Sequence, residues 1–127
     1  MVGLLIKPND TNIKKIDISD ADSIRKILGG YFEMPIISIE LRNRNIDVYV
    51  VEDGKFRNLD VSAIITYNSP DILDYITGNI IMLGHDEDGN AISLNESQLD
   101  YLINTYIKFS TIIDDKRRET TAMHIFM

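Results

Sequence analysis

The sequence predicts an α+β domain, with an antiparallel or mixed sheet of about five strands and two principal helices packed on one face. Short runs rich in β-branched residues alternate with turn residues along most of the chain, which is typical of strands. Two stretches differ, because they place apolar residues at helical spacing behind residues that cap helix N-termini. These stretches begin after Ser19-Asp20 and after Asn95.

The segment from Gly78 to Tyr106 has the clearest local signals. Ile80–Leu83 is a short apolar run between two glycines and predicts a buried strand. Asp86–Asn90 then predicts a turn, because glycine and asparagine adopt positive φ at low cost and Asp side chains accept bonds from nearby N–H groups. Ala91–Ser93 returns as a brief second strand.

The helix after this strand pair is predicted from its first turn. Asn95 is the expected N-cap, and Gln98, three residues later, completes a capping box. Leu94 and Leu99 are placed to form a hydrophobic staple across the cap. The apolar stripe of the helix is predicted to consist of Leu99, Leu102, Ile103 and Tyr106.

The first third of the chain predicts two strands and a helix. The strands are Val2–Lys7 and Ile13–Ile18. The helix is capped by Ser19 or Asp20 and ends at Gly29-Gly30, where one glycine takes the left-handed position. Tyr31–Leu41 is predicted as a further strand, in which Pro35 indicates an edge or a bend.

A central hairpin is predicted next. Ile46–Glu52 alternates, with one face formed by Ile46, Val48 and Val50 and the other by Asp47, Tyr49 and Val51. Glu52–Lys55 contains an Asp-Gly turn, and Phe56–Thr66 is expected to contain the partner strand. Asn68–Asp71 is expected to begin a short helical turn.

The length of 127 residues predicts a single domain, 1–127, with a core of about residues 2–109. Residues 110–127 are interpreted as a C-terminal extension. This extension is either one more strand of the domain or a segment that docks on a partner or on another copy of the chain. Docking on another copy of the chain would produce a homo-oligomer.

Composition excludes several classes of protein. The chain has no cysteine, so disulfides, thiolate zinc sites and cysteine nucleophiles are excluded, and a cytoplasmic location in a host cell is expected. No apolar run approaches the roughly 20 residues that cross a bilayer. The net charge of −7 counts against non-specific binding to nucleic acid or an anionic membrane and leaves open a basic protein partner.

No catalytic, cofactor-binding or metal-ligating residue is predicted, and no cofactor is expected. His85 beside Asp86 and Asp88 is interpreted as a turn histidine, since a metal site needs converging ligands. The Asp86–Asn90 turn also lacks the glycine and glutamate positions of a calcium loop. Neither a serine elbow nor a phosphate-binding glycine loop occurs in the sequence.

Basic and aromatic residues mix around the predicted hairpin. A nucleic-acid face would use the basic residues for phosphates and the aromatic residues for stacking. The preferred interpretation is that Tyr49 and Phe56 form a cross-strand pair while the basic residues balance nearby acids. The basic residues of this less favoured face are Arg42, Arg44, Lys55 and Arg57.

The order of turn and cap motifs resembles a domain-of-unknown-function family of small proteins carried by phages, plasmids and other mobile elements. The resemblance runs from about Leu4 to about Tyr106. The motifs are Gly29-Gly30-Tyr31-x-Glu33, Glu52–Lys55, Ile76-x-Gly78, Asp86–Gly89 and Ser93–Gln98. The resemblance implies an intracellular accessory protein of a virus or mobile element, of a kind that acts on host proteins.

The function expected from these observations is non-enzymatic binding that modulates or inhibits a host protein. One alternative is a small-molecule-binding or sequestering protein with a pocket near Tyr31 and Glu33, and another is a nucleic-acid accessory factor. The candidate surface for a partner or ligand consists of Tyr31, Glu33, Asp53, Asp86, Glu87 and Asp88.

Overall fold

The computed structural model describes residues 1–67 and 71–126. In this part of the chain the fold is α+β and consists mostly of strands, with three short helices. The strands are β1 Val2–Ile6, β2 Lys14–Asp17, β3 Phe32–Glu33, β4 Ile46–Val51, β5 Val61–Thr66, β6 Ile72–Thr77, β7 Ile80–His85, β8 Ala91–Ile92, β9 Phe109–Ile113 and β10 Glu119–Phe126. The helices are α1 Ala21–Leu28, α2 Ile39–Asn43 and α3 Glu96–Tyr101, which continues as a π-helical turn over Leu102–Tyr106.

The strands form two sheets. The larger sheet has the order β2-β1-β7-β4-β3, with β8 paired to β7, and all its pairs are antiparallel. The smaller sheet has the order β6-β5-β10-β9, and its β5–β10 pair is parallel. The prediction of a single sheet of about five strands is therefore wrong, whereas the α+β class and the mixed strand pairing are confirmed.

The main core lies between the two sheets and combines side chains from both. The larger sheet contributes alternate residues of β1, β4 and β7, as expected for one face of a pleated sheet. The smaller sheet contributes residues of β5, β6 and β10. The side chains buried there include Leu4, Ile6, Val48, Val50, Ile80 and Met82 from the larger sheet and Ala63, Ile65, Met123 and Ile125 from the smaller one.

The helices pack on opposite sides of the larger sheet, which corrects the prediction that two principal helices share one face. In α1, Ile24 and Leu28 pack in a second cluster with Tyr49, Val51 and the odd-numbered residues of β7. By contrast, Tyr101 of α3 belongs to the main core between the sheets. The alternation of β4 into two faces is confirmed, because its even-numbered residues enter the main core and Tyr49 and Val51 enter the second cluster.

The helix caps follow the local predictions. The Asp20 carboxylate accepts the N–H of Ser23 at the start of α1, and Gly29 ends this helix at a φ of 83°. At the start of α3, Asn95 and Gln98 form both bonds of the capping box. These predictions are confirmed because each depends on residues within one helical turn.

The predicted central hairpin is wrong. β4 pairs with β3 and β7, while the next strand, β5, belongs to the other sheet. Phe56 is 94% exposed, and Tyr49 instead packs edge-on against Phe32 with ring centroids 5.3 Å apart. A Cβ on Gly54 would lie 2.5 Å from Oγ1 of Thr77, so glycine is needed there for close approach and not for a hairpin turn.

Three other segments depart from expectation or fall outside the description. Tyr31–Leu41 contains only the two residues of β3 as strand and then enters α2. The strand β6 was not predicted from the sequence. The helical turn predicted at Asn68–Asp71 falls mostly on residues 68–70, which lie outside the described residues.

Residues 109–126 form a hairpin, β9–β10, within the smaller sheet. Asp114 closes its turn, because the carboxylate accepts the N–H groups of Lys116 and Arg118 at 2.9 and 2.8 Å. Arg118 also bonds to the carboxylate of Asp60 at 2.7 Å. The extension described from the sequence therefore contributes two strands, and the second one lies inside the sheet.

Candidate functional site

The most distinctive site-forming feature is the partly unpaired edge of β4. This strand pairs with β7 from Ile46 to Val50, but with β3 only at Val50 and Val51. In the β3 register Glu33 faces Val50, so an extension of β3 would place Pro35 opposite Val48. Proline has no N–H to donate, and this accounts for the end of the pairing.

The direction of the β4 backbone groups follows from the bonds at its two ends. Residues of an antiparallel strand alternate between bonding to one neighbour and bonding to the other. The N–H of His85, the last residue of β7, donates to the C=O of Asn45 at 3.0 Å, so the odd-numbered positions of β4 bond to β7. The N–H of Glu52 donates to the C=O of Tyr31 at 2.9 Å, so even-numbered positions face β3.

Ile46 and Val48 therefore direct their backbone N–H and C=O groups to the side where β3 has ended. In residues 1–67 and 71–126 no hydrogen bond from another segment satisfies these groups. A strand edge of this kind is a template for pairing with another extended segment.

A cleft of about 640 Å³ opens along this edge. One wall is the irregular segment from Met34 to Ser38, and another is the end of α2 with Leu41 and Arg42. The volume is within the range of clefts that hold ligands or peptide side chains. We refer to this feature as the β4 cleft.

The polar side chains that line the β4 cleft include Ser38, Arg42, Asp47 and His85. Arg42 is exposed and has no ion-pair partner among the described residues. Nδ1 of His85 lies 3.1 Å from the Asp47 carboxylate, and these side chains are only 22% and 24% exposed. Ser38 is engaged as the N-cap of α2, where its Oγ accepts the N–H of Leu41 at 3.3 Å.

A His–carboxylate pair supports nucleophilic catalysis only when a nucleophile lies within reach of the other imidazole nitrogen. No such hydrogen bond to His85 occurs in the described part of the chain. Nor do the described residues include a group of three His, Asp or Glu side chains that could hold a metal ion. The pair at His85 fixes the orientation of the imidazole at the end of the cleft.

Glu33 and Asp53 of the predicted surface line a second cleft of about 330 Å³. Lys55 and Asp74 line the same cleft and form an ion pair with each other. Tyr31, two residues before Glu33, is exposed. The structure thus brings Glu33 and Asp53 together.

Asp86, Glu87 and Asp88 lie apart from that cleft, in the turn between β7 and β8. The Asp86 carboxylate accepts the N–H groups of Asn90 and Asp88, both at 2.9 Å. The bond from the Asn90 N–H is the main reason that the pKa of Asp86 lies below its ordinary value. Asp86 therefore organises the turn, whereas Glu87 and Asp88 are exposed.

Three of the four basic residues of the predicted nucleic-acid face have partners within the protein. Arg57 donates to the C=O of Gly29 at 2.7 Å and pairs with Asp53, and Lys55 pairs with Asp74. The guanidinium of Arg44 lies 3.6 Å from the ring centroid of Tyr101, whereas Arg42 lines the β4 cleft.

Tyr101 provides a test of this packing at alkaline pH. Burial, followed by its hydrogen bond to Glu40, raises the pKa of Tyr101 to about 12. The contribution of Tyr101 to stability is therefore complete below the unfolded pKa of about 10 and is lost as the pH rises from about 10 through 12. We expect the melting temperature of Tyr101→Phe to fall less than that of the wild type as the pH rises from 9 to 11.5, as measured by circular dichroism.

Burial also raises the pKa values of Tyr49 and Tyr106. The melting temperature of the Tyr101→Phe variant should therefore still fall somewhat at alkaline pH. Glu40→Gln is the matched control, because it leaves the phenol in place while removing the charge that disfavours ionisation. Absorbance at 295 nm should then show that Tyr101 ionises at a lower pH in Glu40→Gln than in the wild type. Identical alkaline losses in wild type and Tyr101→Phe would contradict the assignment.

Sequence reasoning missed an apolar surface next to the β4 cleft. Ile36, Ile39, Tyr67 and Phe126 are exposed and line a third cleft of about 460 Å³. We refer to these four residues as the apolar surface. The signal for it was the run Met34–Ile39, whose five apolar residues in six positions cannot all be buried by a strand or helix with one core face.

Comparison with known proteins identifies the family. No curated protein and no solved structure matches the chain significantly. Within the described residues no helix is long and apolar enough to span a membrane. A family model, described as Domain of unknown function (DUF3846), matches residues 1–107 and confirms the resemblance to a domain-of-unknown-function family. Because this match covers most of the 127 residues, the chain belongs to the DUF3846 family.

Proposed function

We propose that the protein is a non-enzymatic binding protein that engages another protein through the apolar surface. The observation that carries the proposal is the exposure of Ile36, Ile39, Tyr67 and Phe126 around one cleft, with Ile39 74% exposed. Large exposed apolar side chains that cluster in this way mark sites of protein association. The net charge of −7 favours a partner of positive net charge.

The biological setting is part of the same proposal. The motif resemblance supports an accessory protein of a phage, plasmid or other mobile element that acts inside a host cell. The partner is then a host protein, whose activity is modulated or inhibited when the apolar surface covers it.

We test this function by capture from a lysate of cells that carry the gene, using three full-length baits. The wild type should retain a protein that Ile39→Ser/Tyr67→Ser loses, since each replaced side chain contributes roughly 1.5–3 kcal/mol when it is buried. The matched control is Leu73→Ser/Ile113→Ser, which removes two exposed apolar side chains of the smaller sheet and should retain the same protein.

All three baits should first show the same thermal melting. The purified partner should then bind the Ile39→Ser/Tyr67→Ser variant at least tenfold more weakly than the wild type in calorimetry. The proposal is overturned if no protein distinguishes the baits.

A second candidate function is supported by the cleft at Glu33 and Asp53. Its volume of about 330 Å³ suits a small molecule, and its charged residues would supply specificity. Native mass spectrometry of the gently purified chain separates the two functions, because a sequestering protein would retain its ligand. The nucleic-acid alternative has less support, because the chain is acidic and Arg44, Lys55 and Arg57 have partners within the protein.

A further inference from the structure

We propose that the β4 cleft takes up an extended segment of the partner protein, which pairs with Ile46 and Val48 as an added strand. This inference rests on the proposed function and specifies how binding occurs. It depends on the backbone of β4, whereas the proposed function depends on the side chains of the apolar surface. The two are therefore separable by experiment.

The first argument is the spacing of the unpaired groups. Ile46 and Val48 are two residues apart in a regular strand, so their N–H and C=O groups repeat about every 7 Å along the free edge. Only another extended polypeptide presents donors and acceptors at the same spacing. This chemistry identifies the occupant as a strand-like segment and excludes a helix.

The second argument is that the strand position next to β4 in the sheet is already partly occupied by a strand. β3 occupies it at Phe32 and Glu33, and the chain turns away at Pro35 and returns through α2. The cleft of about 640 Å³ is the space between β4 and the segment that runs from Pro35 into α2. An added segment would continue the line of β3, and Met34 and Ile36 would contact its side chains.

The third argument concerns charge. Arg42 lines the cleft without an ion-pair partner among the described residues, while Asp47 is already paired with His85. Arg42 is therefore the charged side chain of the cleft that has no partner among the described residues, although the protein as a whole is acidic. We infer that the inserted segment carries an aspartate or glutamate that faces Arg42.

The other free edges fit this role less well. β2 has the sequence Lys-Lys-Ile-Asp, and charged side chains protect an edge from pairing. The pairing of β6 is irregular at two points, and Lys55 forms an ion pair across its Asp74. β9 has an uncharged edge, but in the described part of the chain none of four clefts, with volumes of about 260 to 640 Å³, is lined by a β9 residue.

The test begins with amide hydrogen exchange of the free, isotope-labelled protein. The amides of Val48 and Tyr49 are neighbours in β4 and are both buried, but only Tyr49 faces β7. We expect the Val48 amide to exchange at least tenfold faster than that of Tyr49. Equal protection would show that the edge is already satisfied, and the inference would fail.

The probe for the second step is a phage-displayed library of random dodecapeptides, selected on the full-length protein. Selected peptides should slow exchange of the Val48 amide at least tenfold and should contain an acidic residue. The same peptides with N-methyl groups on alternate residues should bind at least tenfold more weakly, because they lose the donors to β4. Failure to select any peptide, or protection at β2, β6 or β9 in place of β4, overturns the inference.

Arg42→Glu should weaken the selected peptides several-fold, whereas Lys15→Glu, an equal charge reversal on the exposed strand β2, should not. If the partner distinguishes the apolar-surface variant but the peptides leave Val48 unprotected, the proposed function stands and the added strand does not. The reverse result would retain the added strand and remove the apolar surface from the function.

Discussion

A chain that ends at Ile107 is expected not to fold, although residues 1–107 are those that match the family model. The strand β10 lies between β5 and β9, so its loss would leave β5 and β6 as an isolated pair. Two-stranded ribbons are marginal in water. The truncated chain should show no cooperative thermal transition by circular dichroism and should bind a hydrophobic dye.

The core explains the size of this effect. Met123 and Ile125 of β10 are fully buried between the sheets. Burying each such side chain contributes roughly 1.5–3 kcal/mol, and a typical domain is stable by only about 5–15 kcal/mol. Losing both side chains costs about 3–6 kcal/mol, and the lost pairing of Met123–Phe126 to β5 adds to this cost, so the total is comparable to the whole stability of such a domain.

A matched control separates the loss of β10 from a general effect of altering this region. Ile113 of β9 is 59% exposed, so the full-length variant Ile113→Ser should change the free energy of unfolding by about 0.5 kcal/mol or less. A single core substitution, Met123→Ala, should lower the free energy of unfolding by about 2–5 kcal/mol, which is between the effects of Ile113→Ser and of the truncation. A cooperative, wild-type-like transition of the fragment 1–107 would contradict the assignment of β10 to the core.

The elements that could be predicted from the sequence are those specified by neighbouring residues. The caps at Asp20 and Asn95, the left-handed end of α1 at Gly29 and the turn at Asp86–Asn90 each depend on bonds within about four positions. Local chemistry determines these features, and sequence patterns capture it.

The partners of the strands could not be predicted, because they are distant in sequence. β4 pairs with β7, and β10 pairs with β5 across more than fifty residues. An Asp-Gly pair after an alternating strand is the usual hairpin signal. Here the glycine serves the close approach of Gly54 to Thr77, which no local pattern reveals.

The candidate site shows the same division. The run Met34–Ile39 was visible as an apolar sequence but was interpreted as a strand. What makes the region a site is the unpaired edge at Val48, and this depends on where β3 stops relative to β4. By contrast, Asp86, which was predicted from the sequence to lie on the candidate surface, stabilises a turn.

The helix after Asn95 gives the second large effect. Leu102 and Ile103 were both predicted in its apolar stripe, but Leu102 is fully buried and Ile103 is 44% exposed. These residues begin a π-helical turn, in which the N–H of Ile107 donates to the C=O of Leu102 at 2.9 Å. In an α-helix, residues five positions apart point about 140° away from each other. The wider turn brings Leu102 and Ile107 into the same core. The buried face of the helix is formed by Tyr101 and Leu102, and Ile103 lies outside it.

We therefore expect Leu102→Ala to lower the free energy of unfolding by about 2–5 kcal/mol. Ile103→Ala removes the same number of carbon atoms, yet it should change this free energy by only about 0.5 kcal/mol, because its site is exposed and alanine favours a helix. Urea denaturation of the two variants measures both values. Similar losses for Leu102→Ala and Ile103→Ala would contradict the placement of Leu102 in the core and of Ile103 at the surface.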